Sequence, residues 1–543
     1  MRGDTIRFSL RTKVILISLL VILGLAFRFP ITPHEIGWDS FAVHLMANSV
    51  SEFGYAKWWI HPTSIAGSYP YSTSASAVPF LLSGISQGTN IDMESTILLY
   101  SMILGIFCFF GAYLMAGALW NNDIFKLLVA FVFFTSLGII TKTTWTGHAR
   151  TLFIIALPLF IYLLLRTRTF KIRFSILTFV IFVLLFVTHH FIYFIIPVII
   201  SYLIIGMFYK AGKYIKSIRI PNNFANFAML ASFLIMFSIP YFNRSIWWTD
   251  PELIRSASEG ASSIYVWISN VMLKGYVRYI GILIIFVVGG YTYLIFKRNK
   301  RFEEWFLLMC LAGLAPFLYI PTYMKWFILP FASLLIGIAL TNIAITKTGA
   351  KKKKYRTIFI IILLLSSIIF TGYYQHLHFL NDPDPRTRYM EERTYVGGLW
   401  IKDNIDKDKN MIAEGYISNR VFSISEVPTL TDTNAANLAY DFVDPQKIEV
   451  RQIYPFTSVE FYFRDPYKSV NRTVDTKTEW AVGAIARSDI NDRHSWAYRL
   501  TSLFNLSYCV ENKDFQTTFT RSVQQTKDNI YDNGKIRIWN LAK

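Results

Sequence analysis

Apolar runs of about 17 to 22 residues recur along the first 375 residues of this chain and constrain its fold more than any other feature. A run of that length, coiled into a helix, crosses a hydrocarbon core about 30 Å thick. Hydrophobic residues make up 53% of the whole sequence. The sequence therefore predicts a mainly α protein, built as a polytopic transmembrane helix bundle.

We predict eleven spans. They lie near residues 13–30, 94–119, 124–141, 149–166, 174–188, 191–208, 224–241, 277–296, 304–320, 326–346 and 357–375. The first apolar run, Val14 to Phe27, follows basic residues as a signal peptide does, but no small-residue cleavage site follows it. We therefore expect a retained first span, with a transmembrane domain over residues 1–375 and a second domain over residues 376–543.

Lysine and arginine are distributed unevenly between the predicted loops. Up to residue 375 the chain has 32 of them against 12 acidic residues, and 23 of the 32 lie in the N-terminal segment and in alternate loops. That bias predicts a cytoplasmic N-terminus in the plasma membrane. The formal charge of +19 thus reflects the topology within a lipid bilayer. We expect no nucleic-acid partner, because the charges sit in short loops and not on a groove-binding face.

The composition changes after residue 375 to a polar segment with 22 basic and 23 acidic residues. An odd number of spans places this segment on the extracytoplasmic side. It starts with a helical pattern from Met390 to Ile401 and ends with a hairpin pattern from Ile530 to Trp539. Asn533-Gly534 supplies the positive φ values of the tight turn in that hairpin. We predict an extracytoplasmic α/β domain.

The predicted external loop 31–93 is unusually long, and long ordered loops usually have a function. From Asp39 to Trp58 its apolar residues follow helical spacing, which Gly54 would end. We expect this helix to lie on the membrane surface. The segment from Tyr69 to Gly84 is expected to form a second short helix or a re-entrant piece.

Asp39 stands at the start of this loop helix, at the outer mouth of a bundle that is poor in acids. A carboxylate there is costly unless it forms an ion pair, binds a cation or takes a proton. We predict that Asp39 is the catalytic residue. The alternative is a helix N-cap, a position that Asp favours. Glu35 is either a solvated loop charge or a second residue of the site.

The segment from Asp39 to Ala47, followed by Glu52-Phe53-Gly54-Tyr55, resembles the Asp, then His, then Gly pattern that opens the first external loop of oligosaccharyltransferases. The order of the predicted parts is also similar to that of the GT-C membrane glycosyltransferases. In both, one span precedes a long external loop that opens with an acid, and a polar external domain ends the chain. This superfamily includes oligosaccharyltransferases and protein O-mannosyltransferases.

The resemblance implies a transferase that takes a sugar from a polyprenyl or dolichyl phosphate carrier and passes it to a glycan, lipid or protein acceptor. Asp39 would be the general base or would orient the acceptor, and with Glu35 it would hold any divalent cation, Mg or Mn. Arg28, Arg150 and Lys325, at predicted outer span ends, would bind the donor phosphate. Such residues also snorkel to phospholipid headgroups. Further site candidates are His44, His148, His189, His190 and Tyr323.

Two motifs of oligosaccharyltransferases have no counterpart in this sequence. The loop from Lys142 to Ala149 contains no acid where those enzymes have a second acidic motif. Trp247-Trp248 lies between two predicted spans, outside any Trp-Trp-Asp-Tyr-Gly motif, and is expected to be an interfacial anchor. We therefore expect transfer of a single sugar and not sequon-directed transfer of an oligosaccharide.

A transporter or lipid-linked saccharide flippase, with the external domain as a binding module, is the alternative from another class. Transporters often contain internal repeats and polar residues at mid-membrane depth. This sequence shows no repeat and few ionisable residues away from the span ends. A polysaccharide polymerase or ligase is a third alternative, but its large external loop is expected far from the N-terminus. The sequence favours the transferase.

Overall fold

The computed structural model describes residues 6–59, 65, 77–169, 171–214, 222–242, 275–319, 321–345, 350–373, 376–378, 389–442, 448–451, 460–463, 474–475 and 478–542. The predictions for Trp247-Trp248 and for the part of the first loop from Tyr69 to Ser76 lie outside the described residues.

The first part of the chain is a helix bundle. Its helices are α1 (Leu10–Ala26), α2 (Trp38–Phe53), α3 (Ala77–Thr89), α4 (Met93–Leu119), α5 (Asp123–Thr135), α6 (Leu137–Ile140), α7 (Ala149–Thr167), α8 (Ile172–Phe186), α9 (Ile195–Tyr214), α10 (Asn222–Phe242), α11 (Arg278–Ile280), α12 (Ile284–Phe296), α13 (Phe302–Leu314), α14 (Pro321–Phe327), α15 (Leu329–Ile345) and α16 (Ala350–Ser366).

Several of these helices suit a membrane. Within the described ranges, three segments are long and apolar enough to cross one, namely Met93–Leu119, Ala149–Thr167 and His190–Lys210. Shorter apolar helices are Ile172–Phe186, Asn223–Ile239, Ile284–Phe296 and Leu329–Ile345. The mainly helical architecture, with helices long and apolar enough to cross a membrane, is confirmed, whereas the number of eleven spans and their orientation stay predictions.

Two predicted spans are interrupted, and the interruptions position the site. α5 ends at Thr135 because Ser136 has an extended backbone, with φ −64° and ψ 144°. The short helix α6 follows and leads to Lys142. The region between α13 and α15 is likewise broken, and the short helix α14 within it carries Lys325. α6 contacts α14, so these two lysines approach each other although they are far apart in the sequence.

The C-terminal part combines helices with two sheets. Its elements are β1 (Asn410–Ala413), β2 (Thr429–Leu430), β3 (Ile448–Arg451), β4 (Glu460–Phe463), β5 (Val474–Asp475), β6 (Leu506–Asn512), β7 (Asp528–Asp532), β8 (Ile536–Asn540), and α17 (Glu392–Asn404), α18 (Gly415–Ser425), α19 (Asn434–Ala439), α20 (Thr478–Ala486), α21 (Trp496–Leu503) and α22 (Thr518–Thr526). The larger sheet has the order β2-β1-β6-β8-β7, with β1 parallel to β2 and β6. β3, β4 and β5 form an antiparallel sheet. The predicted hairpin is β7 and β8, with Gly534 at φ +87° in its turn.

α2 is the helix predicted at the start of the long loop. It ends where Gly54 takes a left-handed conformation at φ +80°. That it lies on the membrane surface stays a prediction, and in the structure α2 packs against α3, α4 and α18. Phe41 and Leu45 are completely buried, and Nδ2 of Asn48 donates to the carbonyl of Ser423 in α18 at 3.1 Å. The helix is therefore held between the bundle and the C-terminal part.

His34 joins three parts of the chain just before α2. Its Nδ1 lies 3.0 Å from a carboxylate oxygen of Glu94 in α4, and its Nε2 lies 3.0 Å from one of Glu392 in α17. The ring of Tyr395 stacks on the imidazole at 3.9 Å between ring centres. These contacts attach the start of the long loop to both the bundle and the C-terminal part.

Candidate active site

Asp39 lies in the first turn of α2, two residues after Gly37. Gly37 has a φ of +98°, which glycine adopts without strain and other residues do not. A Cβ atom at this position would lie only 3.1 Å from Nε2 of His148. Gly37 is also the N-cap of α2, so the capping role that competed with catalysis does not belong to Asp39.

The carboxylate of Asp39 pairs with Arg150 in the first turn of α7. Oδ2 of Asp39 accepts a hydrogen bond from Nη2 of Arg150, while Nδ1 of His148 lies 3.6 Å from the same oxygen. Desolvation raises the pKa of Asp39, but the charges of Arg150 and Lys142 and the hydrogen bond from Arg150 outweigh it and hold that pKa well below its usual range. With 43% of its side chain exposed, Asp39 is an ionised carboxylate that a second molecule can reach.

His148 lies immediately behind this ion pair, at the N-cap position of α7. Only 8% of its side chain is exposed. Burial, followed by the charge of Lys142, lowers the pKa of His148 well below its usual value. Its Nδ1 is buried, and within the described part of the chain it has no hydrogen-bond partner. His148 is thus a neutral imidazole with one unused nitrogen directed towards Asp39.

Three cationic side chains of the described residues gather around the indole of Trp326. Nζ of Lys325 lies 4.6 Å from a ring centre of the indole, and both Nζ of Lys142 and Cζ of Arg150 lie 5.3 Å away. Burial, together with the charges of Arg150 and Lys325, lowers the pKa of Lys142 to about 7. We call Lys142, Arg150 and Lys325 the cation cluster. Its like charges repel one another, and an anion would relieve that repulsion.

The indole of Trp326 adds an unused donor to the cation cluster. Its Nε1 is buried and makes no hydrogen bond to any residue that the structure describes. A buried donor without a partner costs about 1 to 3 kcal/mol. An anionic hydrogen-bond acceptor at this place would pair with this N–H group and with the ammonium groups of Lys142 and Lys325.

Lys142 is not among the predicted site residues, although the sequence contains a usable signal for it. Lys142 follows a predicted outer span end, which is the property that selected Arg150 and Lys325. The prediction for the loop from Lys142 to Ala149 concerned only its lack of an acidic residue. The contact between α6 and α14 shows that Lys142 belongs with the two predicted cations.

Glu35 and His44 are buried beneath the first turn of α2. Oε1 of Glu35 accepts a hydrogen bond from Oγ of Ser40 at 2.5 Å, and Oε2 lies 2.7 Å from Nδ1 of His44. The backbone N–H of Gly147 donates to the same serine oxygen at 2.5 Å. Glu35 is therefore not a solvated loop charge. It braces α2 against the loop that precedes α7.

His189, His190 and Tyr323 form an aromatic group next to the cation cluster. The ring centres of His189 and His190 lie 4.0 Å apart, and those of His190 and Tyr323 lie 5.0 Å apart. Nδ1 of His189 accepts a hydrogen bond from the backbone N–H of Phe191 at 3.2 Å. The charges of Arg150 and Lys142 act on His189, so this group lies near the cation cluster.

Arg28 is engaged elsewhere in the bundle. Its guanidinium donates to Oγ1 of Thr143 at 2.6 Å, to the carbonyl of Gly24 at 2.8 Å and to that of Phe134 at 2.7 Å. The residue is 1% exposed. These three hydrogen bonds join α1, α5 and the loop after α6, so Arg28 has a structural role inside the bundle instead of the predicted phosphate contact.

The two carboxylates predicted to hold a divalent cation do not fit one. Asp39 already pairs with Arg150, and the two oxygens of Glu35 are engaged by Ser40 and His44. Within the described ranges, no group of three or more His, Cys, Asp and Glu side chains is arranged to hold a metal ion. The contacts of Asp39 and Glu35 in the structure are ion pairs and hydrogen bonds to protein side chains.

Solved structures of two membrane enzymes share the architecture. An oligosaccharyltransferase from Archaeoglobus fulgidus, in complex with Zn and sulfate, aligns with a TM-score of 0.57 and 12% identity over 92% of this chain and 68% of that one. The apo form of ArnT from Cupriavidus metallidurans aligns with a TM-score of 0.52 and 8% identity over 97% of this chain and 98% of that one. This chain has the GT-C fold.

The resemblance inferred from the first loop is thereby confirmed for the fold. A further GT-C structure, the archaeal oligosaccharyltransferase AglB from Archaeoglobus fulgidus with an inhibitory peptide and a dolichol-phosphate, aligns with a TM-score of 0.55 and 11% identity over 92% of this chain and 69% of that one. No protein-family model and no curated protein matches the sequence. One fold supports many activities, so the fold by itself does not show the function of this chain.

Proposed function

We propose that this GT-C protein is a membrane glycosyltransferase that moves a single sugar from a polyprenyl or dolichyl phosphate carrier to an acceptor on the extracytoplasmic face. The observation that carries the proposal is a half-exposed carboxylate, Asp39, beside the cation cluster. Such a transfer needs a group that binds the acceptor proton and charges that stabilise the departing phosphate. The dolichol-phosphate bound to AglB supports a lipid phosphate as the carrier.

The donor phosphate fits the cation cluster. Lys142 and Lys325 supply ammonium groups, Arg150 supplies a forked guanidinium that suits two phosphate oxygens, and Nε1 of Trp326 supplies a neutral donor. α7 begins at Ala149, so the positive end of its dipole adds to the same potential. Phosphate binding relieves the repulsion among the cations and gives the buried indole N–H a partner.

In the transfer step the acceptor oxygen attacks the anomeric carbon of the sugar while the bond from that carbon to the phosphate oxygen breaks. The bonding electron pair leaves with the phosphate, and the cation cluster stabilises the added negative charge. The acceptor proton passes to the carboxylate of Asp39, or is held by it in a hydrogen bond until it reaches solvent. Asp39 is therefore the base or the group that orients the acceptor.

The test is to supply the purified protein, in lipid nanodiscs, with a panel of polyprenyl phosphate sugars and to measure released carrier phosphate. Lys325→Met should mainly weaken donor binding, because it removes one cation of the cluster. Lys57→Met is the matched control, since Lys57 pairs with Asp441 at 2.9 Å, outside the cluster. Movement of the lipid-linked sugar between leaflets with no release of carrier phosphate would favour the flippase instead.

A further inference from the structure

Arg150 belongs to two arrangements at once. Its Nη2 donates to Oδ2 of Asp39, while its guanidinium carbon lies 5.3 Å from a ring centre of Trp326 within the cation cluster. A phosphate that enters the cluster offers this guanidinium two oxygens in the geometry of a bidentate pair. The carrier phosphate and Asp39 therefore compete for the same side chain.

His148 stands beside the same carboxylate oxygen but does not bond to it. Its Nδ1 lies 3.6 Å from Oδ2 of Asp39, which is too long for a hydrogen bond. This nitrogen is buried and has no other partner in the described part of the chain. An approach of about 0.8 Å would bring it to the 2.8 Å of a charge-assisted bond.

The surroundings hold His148 in place for that approach. Gly37 has no side chain, so the imidazole of His148 packs directly against the start of α2. A Cβ atom at position 37 would lie only 3.1 Å from Nε2 of His148. The bond from the backbone N–H of Gly147 to Oγ of Ser40 ties the residue before His148 to α2. His148 therefore stays next to Asp39 when the longer and more flexible side chain of Arg150 moves away.

We propose that Arg150 shields Asp39 until the carrier phosphate binds, and that His148 then replaces Arg150 as the hydrogen-bond donor to Asp39. His148 is thus a positioning residue that acts through Asp39. The inference rests on the proposed phosphate site. It predicts an ordered reaction in which Asp39 becomes available to the acceptor only after the donor is in place. Before then, an acceptor or a water molecule that reaches Asp39 would meet a carboxylate that is paired with Arg150.

A double-mutant cycle with farnesyl phosphate tests this exchange without any need for the sugar or the acceptor. Affinity is measured in the parent and in the H148F, D39N and H148F/D39N variants. If His148 stabilises the carboxylate that Arg150 leaves, H148F should weaken farnesyl phosphate binding about tenfold in the parent and hardly at all in D39N. A packing role for His148 would weaken binding equally in both backgrounds and would overturn the proposal.

A spectroscopic signature provides a second readout. In protein with 15N-labelled histidine, farnesyl phosphate should move one side-chain resonance, absent from H148F, to the position of a hydrogen-bonded N–H. In R150M this resonance should be at that position before any phosphate is added, because methionine has no hydrogen-bond donor to compete with His148. No farnesyl phosphate binding by the parent would contradict the proposed function. Binding without coupling, and with a stationary His148 resonance, would contradict only the exchange.

Discussion

Replacing Asp39 with asparagine should nearly abolish sugar transfer and leave the fold intact. Asparagine is almost the same size and its oxygen still accepts a hydrogen bond from Arg150, but it does not take a proton. Loss of a general base lowers a rate by on the order of 10² to 10⁴. That range corresponds to about 3 to 5 kcal/mol of lost transition-state stabilisation.

The expected effect of the same change on stability is much smaller. The Asp39 side chain is 43% exposed, so its ion pair with Arg150 is partly screened and contributes about 1 kcal/mol or less. Gly37 is the N-cap of α2, so the substitution removes no cap. The carboxylate of Asp39 also interacts with the positive end of the α2 dipole, and the loss of that interaction lowers the free energy of unfolding by about 0.3 to 1 kcal/mol.

The assay compares carrier phosphate release with thermal unfolding in the same nanodisc preparation. Asp441→Asn is the control, because it makes the same chemical change at a carboxylate that is 78% exposed and pairs with Lys57. We expect Asp39→Asn to retain farnesyl phosphate binding and the parental Tm within about 4 °C. Near-parental turnover in this variant, with the same Tm, would refute the assigned role of Asp39.

Farnesyl phosphate affinity of the parent should fall as the pH rises through about 7, because the pKa of Lys142 lies there and only its ammonium form attracts the phosphate. Lys142→Met should remove that dependence, and titrations on either side of neutral pH check it. Burial lowers the pKa of His34, but Glu94 and then Glu392 outweigh it and raise that pKa. The contribution of His34 to the stability of the fold is therefore complete below the pKa of an unfolded histidine, about 6.5, and is lost as the pH rises through the pKa of His34 in the folded protein. Glu392→Gln should flatten that part of the curve of stability against pH, and an unchanged curve would show that the contact adds nothing. Gly105→Ala should destabilise the protein by about 1 to 3 kcal/mol, because its Cβ would lie 2.6 Å from Cδ of Arg28, whereas Gly84→Ala, which meets no atom within 4 Å, should be harmless. Equal Tm values for these two variants would contradict the close packing of Arg28. An impermeant thiol reagent on intact cells should label Asp403→Cys and not Asn299→Cys, both exposed positions in a chain whose own Cys108, Cys310 and Cys509 are buried. The reverse labelling would invert the predicted topology.

Features that depend on neighbouring residues were determined by the sequence alone. The apolar spacing after Asp39 and the glycine at position 54 predict a helix that ends at Phe53, and α2 does so. Asn533-Gly534 likewise predicts the hairpin of β7 and β8. These inferences succeed because helical periodicity and turn conformations act over a few residues, so a local pattern contains the whole cause.

Such local patterns predict only some of the residues that form the site. Arg28 and Arg150 both follow the same rule of a cation at an outer span end. In the structure Arg150 joins Asp39, whereas Arg28 donates to two carbonyls and a hydroxyl inside the bundle. What separates them is the identity of the neighbouring helices, which a local pattern does not specify.

Tertiary packing alone decided two further features. The breaks that produce α6 and α14, and the contact between these helices, bring Lys142 to Lys325 across about half the length of the bundle sequence. Glu35, which the sequence leaves open between a solvated and a site role, is enclosed by α2 and by the loop before α7. Burial and charge pairing depend on groups that are distant in the sequence, and only the folded chain brings those groups together.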